Sequence, residues 1–155
     1  QIVWFDRHIR LADELGLPLV IHSRECDADL ITQLRALNRP VQGVLHSFTG
    51  DWETARAFLD LGLYISFAGM ITFSNKSLAP LREVAARVPA DRILVETDSP
   101  YLTPHPFRGK INEPARVALT AQAVARARGI ETEELARLST GNARRLFALP
   151  CDLAL

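Results

Sequence analysis

R-I-L-V-E-T-D-S-P-Y-L-T-P, residues 92 to 104, joins a short apolar run to two carboxylates and a proline-rich loop. Ile93 to Val95 has the continuous hydrophobic character of a parallel strand buried on both faces, and Glu96 and Asp98 follow at its carboxyl end. In barrel enzymes the chemistry sits at that end of the strands, in the loops that follow. Asp98 is therefore the first candidate for a functional residue.

Working outward, three earlier stretches repeat the pattern. Leu17 to Ile21 runs into His22-Ser23-Arg24, Val41 to Leu45 runs into His46, and Leu63 to Ala68 stops at Gly69. Helical periodicity fills the intervals: Ile2 to Leu15 with Gly16 as its stop, Asp27 to Leu37, a helix capped by Asp51 and ended by Gly62, and Leu78 to Val88. The strand tips fall near His22, His46, Ala68 and Glu96, about 22 to 28 residues apart. Strands alternating with helices at that interval indicate βα units and a parallel sheet. Four units are about half of an eight-stranded barrel, which needs around 250 residues. Beyond Pro104 the chain is a basic loop, Arg108-Gly109-Lys110, then a helix from Pro114 to Arg128 with Asn112 as its expected cap, then a short helix opening at Glu131 or Thr132.

The chain has 155 residues, 48% hydrophobic and 23% charged, which fits one globular domain over 1–155. Eighteen basic residues balance eighteen acidic ones, so any contact with a polyanion must be local. No apolar run approaches the roughly 20 residues of a membrane span. Cys26 and Cys151 form no C-x-x-C pair and suit a reduced, cytoplasmic protein. Gln1 leads directly into a helical pattern, so the sequence is expected to begin inside a longer protein.

His22, His46 and Asp98 share a position at or just past the end of a parallel strand, where residues distant in sequence converge. Two imidazoles and a carboxylate suit zinc, manganese or iron, and a divalent ion so held can acidify water and polarise a phosphoryl or carbonyl oxygen. The bland reading of each histidine alone is a satisfied core or loop residue. Glu96 is expected to support a ligand rather than to be one. Arg24 and Arg108 are candidates to grip phosphate, and Tyr101 to stack on a base. Lys110 reads as a solvated charge, and Cys26 as a small buried hydrophobe.

These segments resemble the TatD family of metal-dependent deoxyribonucleases, within the amidohydrolase-like barrels. The resemblance rests on L-P-L-V-I-H-S-R at 17 to 24, G-V-L-H-S-F-T-G at 43 to 50, G-L-Y-I-S-F-A-G at 62 to 69 and I-L-V-E-T-D-S-P-Y-L-T-P at 93 to 104. R-G-K-I-N-E-P at 108 to 114 and G-N-A-R-R-L-F at 141 to 147 extend it in the same order.

The resemblance implies an α/β fold, a (β/α)8 TIM barrel of which this chain supplies the C-terminal half, strands five to eight plus the terminal helices. It implies that His22, His46 and Asp98 are metal ligands for one or two divalent ions (Mg, Mn or Zn). It further implies that Asp98 helps manage the proton of the attacking water and that the substrate is DNA or a short oligonucleotide. The family's H-x-H pair and its glutamate after strand four have no counterpart here. Two rival expectations follow: an amidohydrolase acting on C–N or ester bonds, and a truncated, non-catalytic chain.

Overall fold

Four short strands pair in the order of the sequence and all run parallel: β1 (Leu19–His22), β2 (Gly43–His46), β3 (Tyr64–Phe67) and β4 (Ile93–Val95). Helices α1 (Ile2–Leu15), α2 (Asp27–Arg35), α3 (Trp52–Asp60) and α4 (Ala79–Arg87) alternate with them, and α5 (Val117–Arg128) and α6 (Thr132–Phe147) follow β4. The molecule is a computed structural model that describes residues 1–150, so Cys151 lies outside the described residues.

Register fixes which side chains share a face. Val20 pairs with Val44, Val44 with Tyr64, and Ser66 with Leu94, so these residues line one face of the sheet. Ile21, Leu45, Ile65, Phe67 and Ile93 line the other face and pack against Leu34, Phe58, Val84, Val124 and Leu135 of the helices in the main core. On the first face Val44, Tyr64 and Leu94 form a smaller cluster with Leu146 of α6. Gln42, just before β2, donates from Nε2 to the Leu146 carbonyl at 3.3 Å, which places this plug at the amino end of the strands. The carboxyl end of that face is left to polar groups.

Local chemistry explains most element ends. Gly16 (φ 64°) and Gly129 (φ 69°) close α1 and α5 in the left-handed conformation that glycine adopts without steric cost. The Leu17 N–H bonds back to the Ala12 carbonyl, so Leu17 belongs to the helix end and β1 starts later than the apolar run suggests. Asp51 caps α3 by accepting from the Thr54 N–H at 2.9 Å, and that bond holds its carboxyl pKa below the ordinary 3.8. Arg128 donates to the Ala85 and Val88 carbonyls, closing α4 from a neighbouring helix.

Three expectations need correction, and one stretch left without an assignment gains one. Val20 is 63% exposed, because β1 pairs on one side only and nothing described covers its inner face. Single-turn 3-10 helices, Gly69–Thr72 and Lys76–Leu78, occupy the stretch between β3 and α4. The helix expected from Pro114 opens as a 3-10 turn (Pro114–Arg116) before α5, and Asn112 is not its cap. The last helix runs 16 residues rather than a short turn or two. Its Asn142 is 1% exposed and anchors it, donating from Nδ2 to the Ala90 and Ile93 carbonyls at 2.9 and 2.8 Å. None of the described helices is long and apolar enough to cross a membrane.

Asn142→Ala leaves two carbonyls at the base of β4 without their donor, and is expected to lower unfolding free energy by about 1–3 kcal/mol. Urea denaturation reads this as a lower midpoint at an unchanged slope; an unchanged midpoint would contradict the clamp. Asp51→Ala should cost about 1 kcal/mol near neutral pH. Because the folded carboxyl pKa is depressed, the cap's contribution is complete above 3.8 and is lost as pH falls through the folded value, so wild type and variant should converge in acid.

Candidate metal centre

The inner face ends in a polar rim that two ladder bonds extend past the strands. The Phe48 N–H donates to the Ser66 carbonyl and the Glu96 N–H to the Phe67 carbonyl, each at 2.9 Å. Alternation from Leu94 then brings Glu96 to the same face as His46 and Ser66. Asp98 takes a left-handed backbone (φ 55°), which only a minority of non-glycine residues adopt, and Ser47 after His46 does the same (φ 49°). Such conformations concentrate at functional sites.

One imidazole stands between two carboxylates. His46 Nδ1 lies 2.5 Å from Glu96 Oε1, and His46 Nε2 lies 3.6 Å from Asp98 Oδ1. One donor atom from each of His46, Glu96 and Asp98 falls within 4.8 Å of the others, and all three side chains are half-buried. Glu96 Oε2 accepts a short hydrogen bond from Ser66 Oγ, whereas Glu96 Oε1 is fully buried and has no hydrogen-bond donor in line with it. The Glu96 carboxylate thus sits against the ring nitrogen opposite Nε2. Among the described residues, no Lys or Arg is ion-paired with Glu96 or Asp98. Two converging carboxylates without a cationic partner leave local negative charge, and a divalent cation fits that charge and that oxygen-and-imidazole donor set.

The other expected residues are distributed around this centre. The His22 ring lies 5.6 Å from the His46 ring between centroids, but it is exposed and falls outside the three-residue set. Glu96, given only a supporting place from the sequence, is inside it. Arg24 is exposed with no described partner, and Arg108 stacks its guanidinium over Phe73 at 3.9 Å. Tyr101 is held one turn from Asp98, its N–H donating to the Asp98 carbonyl at 2.8 Å. Cys26 is half-buried and lies 3.7 Å from Ser23 Oγ, outside the donor set.

Two residues that the sequence reading missed or misassigned hold the loop in place. Asn112, expected as a helix cap, is 4% exposed and donates from Nδ2 to the Thr97 and Tyr101 carbonyls at 2.8 and 2.7 Å. Gly69 packs so closely on the loop that a Cβ there would lie 2.0 Å from the Leu102 carbonyl oxygen. Ser66 was also missed. Its signal was its register, opposite Leu94 and two residues short of Glu96, which appears only once the strands are paired.

A parallel βα sheet with an imidazole and carboxylates at its carboxyl ends defines a class of TIM-barrel-like metal proteins. The family model described as TatD related DNase matches residues 1–148, and the chain belongs to that family. The uncharacterised metal-dependent hydrolase YcfH of Escherichia coli K12 is 49% identical over 144 residues, covering 92% of this chain and 54% of that protein. A protein of Edwardsiella piscicida named 3'-5' ssDNA/RNA exonuclease TatD is 39% identical over 150 residues, covering 94% of this chain and 57% of that protein. The crystal structure of YjjV, a TatD homologue from Escherichia coli K12, superposes with a TM-score of 0.85 at 31% identity, covering 94% of this chain and 55% of that one. The chain thus spans about half the length of the curated relatives it matches.

Gly69→Ala forces the loop away from β3 and should speed amide hydrogen exchange across residues 97 to 112, with a stability loss of about 1–3 kcal/mol. Exchange unchanged from wild type would show that the close approach does not hold the loop.

Proposed function

We propose that this chain is part of a metal-dependent hydrolase of the TatD type that cleaves phosphodiester bonds in DNA or short oligonucleotides. The observation that carries the proposal is His46 set between two carboxylates that lack any described cationic partner. His46 Nε2 and Asp98 would hold the ion, with His22 from the adjacent strand as a further ligand. Glu96, at Nδ1, would fix the His46 ring, and Ser66 would fix Glu96 in turn. A divalent ion held there would supply Lewis acidity, lowering the pKa of water and polarising a phosphoryl oxygen. Asp98 would serve both as ligand and, through its second carboxylate oxygen, as acceptor of the water's proton.

The phosphodiester substrate is supported by the exonuclease activity named for the Edwardsiella relative and by the basic residues Arg108 and Lys110 in the loop that follows Asp98. Hydrolysis of C–N or ester bonds gains no comparable support. The same proposal takes the four strands as strands five to eight of an eight-stranded barrel. The unpaired outer edge of β1 and the coverage of about half of each relative support that reading. On it, further ligands come from the remaining strands, and the isolated chain is expected to bind metal weakly and to hydrolyse little.

In a complete barrel carrying these residues, Asp98→Asn and His46→Ala should each lower kcat/KM for manganese-dependent nucleotide release from single-stranded DNA by about 100-fold or more. Chelation should abolish the activity and added manganese restore it. A complete barrel that released no nucleotides yet hydrolysed an amide or ester would overturn the substrate assignment.

A further inference from the structure

Asp98 is the member of the donor set that the sheet does not hold. His46 ends β2, and Glu96 is tied to β3 by its own N–H bond to the Phe67 carbonyl at 2.9 Å. Asp98 comes two residues later, on the loop, in the left-handed conformation (φ 55°). Among the described residues no hydrogen bond reaches its carboxylate, whose one charged contact is His46 Nε2 at 3.6 Å. A ligand so placed owes its position to whatever fixes its backbone.

Asn112 brackets it from both sides. Nδ2 donates to the Thr97 carbonyl at 2.8 Å, just before Asp98, and to the Tyr101 carbonyl at 2.7 Å, just after it. The Asn112 N–H donates to the Pro100 carbonyl at 3.1 Å, and Oδ1 accepts from the Glu113 N–H at 3.0 Å. Inside the bracket the Tyr101 N–H closes a turn on the Asp98 carbonyl at 2.8 Å. Asn112 is 4% exposed, so water competes little for these bonds. Every donor and acceptor lies within residues 97 to 113, so the bracket is built by this chain alone. The remainder of the loop is held by other bonds, Thr103 Oγ1 to the Lys110 carbonyl at 2.6 Å and Arg116 to the Ile111 carbonyl at 2.7 Å. Neither touches residues 97 to 101, so fixing Asp98 and fixing the outer loop are separable.

We propose that Asn112 is a positioning residue for Asp98, holding the carboxylate where it and His46 Nε2 can share a divalent cation. The inference rests on the metal-centre reading and deepens it, because it makes ion affinity depend on a residue outside the donor set. The reason is preorganisation. A carboxylate already in place binds without an ordering cost, whereas one that is in place only part of the time lowers the apparent affinity by that fraction. The asparagine is required for its amide: Nδ2 supplies two donors to two carbonyls that face one another across Asp98.

The test is calorimetric titration of manganese into a metal-free complete barrel carrying these residues, with amide hydrogen exchange on the same samples. Asn112→Ala should weaken manganese binding about 10- to 100-fold and speed exchange at the Tyr101 amide. Thr103→Val also removes a buried hydrogen bond and lowers the urea midpoint, but it should stay within about twofold of wild type in both readouts. If Asn112→Ala does not fold, Asn112→Ser keeps one donor and carries the same comparison with a smaller loss. Wild-type affinity in the Asn112 variants, or equal losses in the Asn112 and Thr103 variants, would overturn the assignment. Manganese binding lost in His46→Ala but kept in Asn112→Ala leaves the metal centre standing and defeats only the positioning role. A wild-type barrel that binds no manganese defeats both.

Discussion

The parallel pairing of β2, β3 and β4 is the constraint on which the rest depends. Because the three strands run the same way in a fixed register, His46, Ser66 and Glu96, separated by 20 and 30 residues in sequence, emerge on one face at one end. The two ladder bonds beyond the strands, Phe48 to Ser66 and Glu96 to Phe67, carry that register into the loops. A slip of one residue in β4 would turn Glu96 into the apolar core and Val95 out of it. The register is held by the burial of Ile65, Phe67 and Ile93 on the opposite face.

The sheet divides its work between two faces and two ends. The helix-covered face provides the hydrophobic driving force, with Phe58, Phe67, Leu34 and Leu135 fully buried. The inner face is apolar only at its amino end, where Leu146 closes Val44, Tyr64 and Leu94. Helix α6 reaches that position because Asn142 anchors it to the start of β4. The loop after β4 is anchored in the same manner by Asn112. In both clamps one buried amide satisfies two backbone carbonyls, and burying such groups unpaired would be costly.

What the sequence made legible was local chemistry. The strands β1 to β4, the Asp51 cap and the glycine stops at Gly16 and Gly129 all depend on residues within a few positions of one another. That His46 and Asp98 lie at strand ends was legible because each follows a strand whose direction the βα alternation already sets. The placement of Glu96 against His46, the Ser66 hydroxyl behind it and the two asparagine clamps were not legible. Each is a contact across 11 to 52 residues that no periodicity encodes. Asn112 shows the difference: its position before Pro114 fits a helix cap, and its tertiary partners took the side chain elsewhere. Family membership, by contrast, was legible from ordered motifs and agrees with the match over residues 1–148.

The central claim is that His46 and Asp98 hold a divalent cation while Glu96 orients the imidazole from its other nitrogen. Crystals grown with manganese and measured for anomalous scattering test it most directly. The account predicts an anomalous peak bounded by His46 Nε2 and Asp98, with Glu96 remaining against Nδ1 and Ser66. A peak between Glu96 and Nδ1 with Asp98 turned away, or no peak at His46 under saturating manganese, would contradict it.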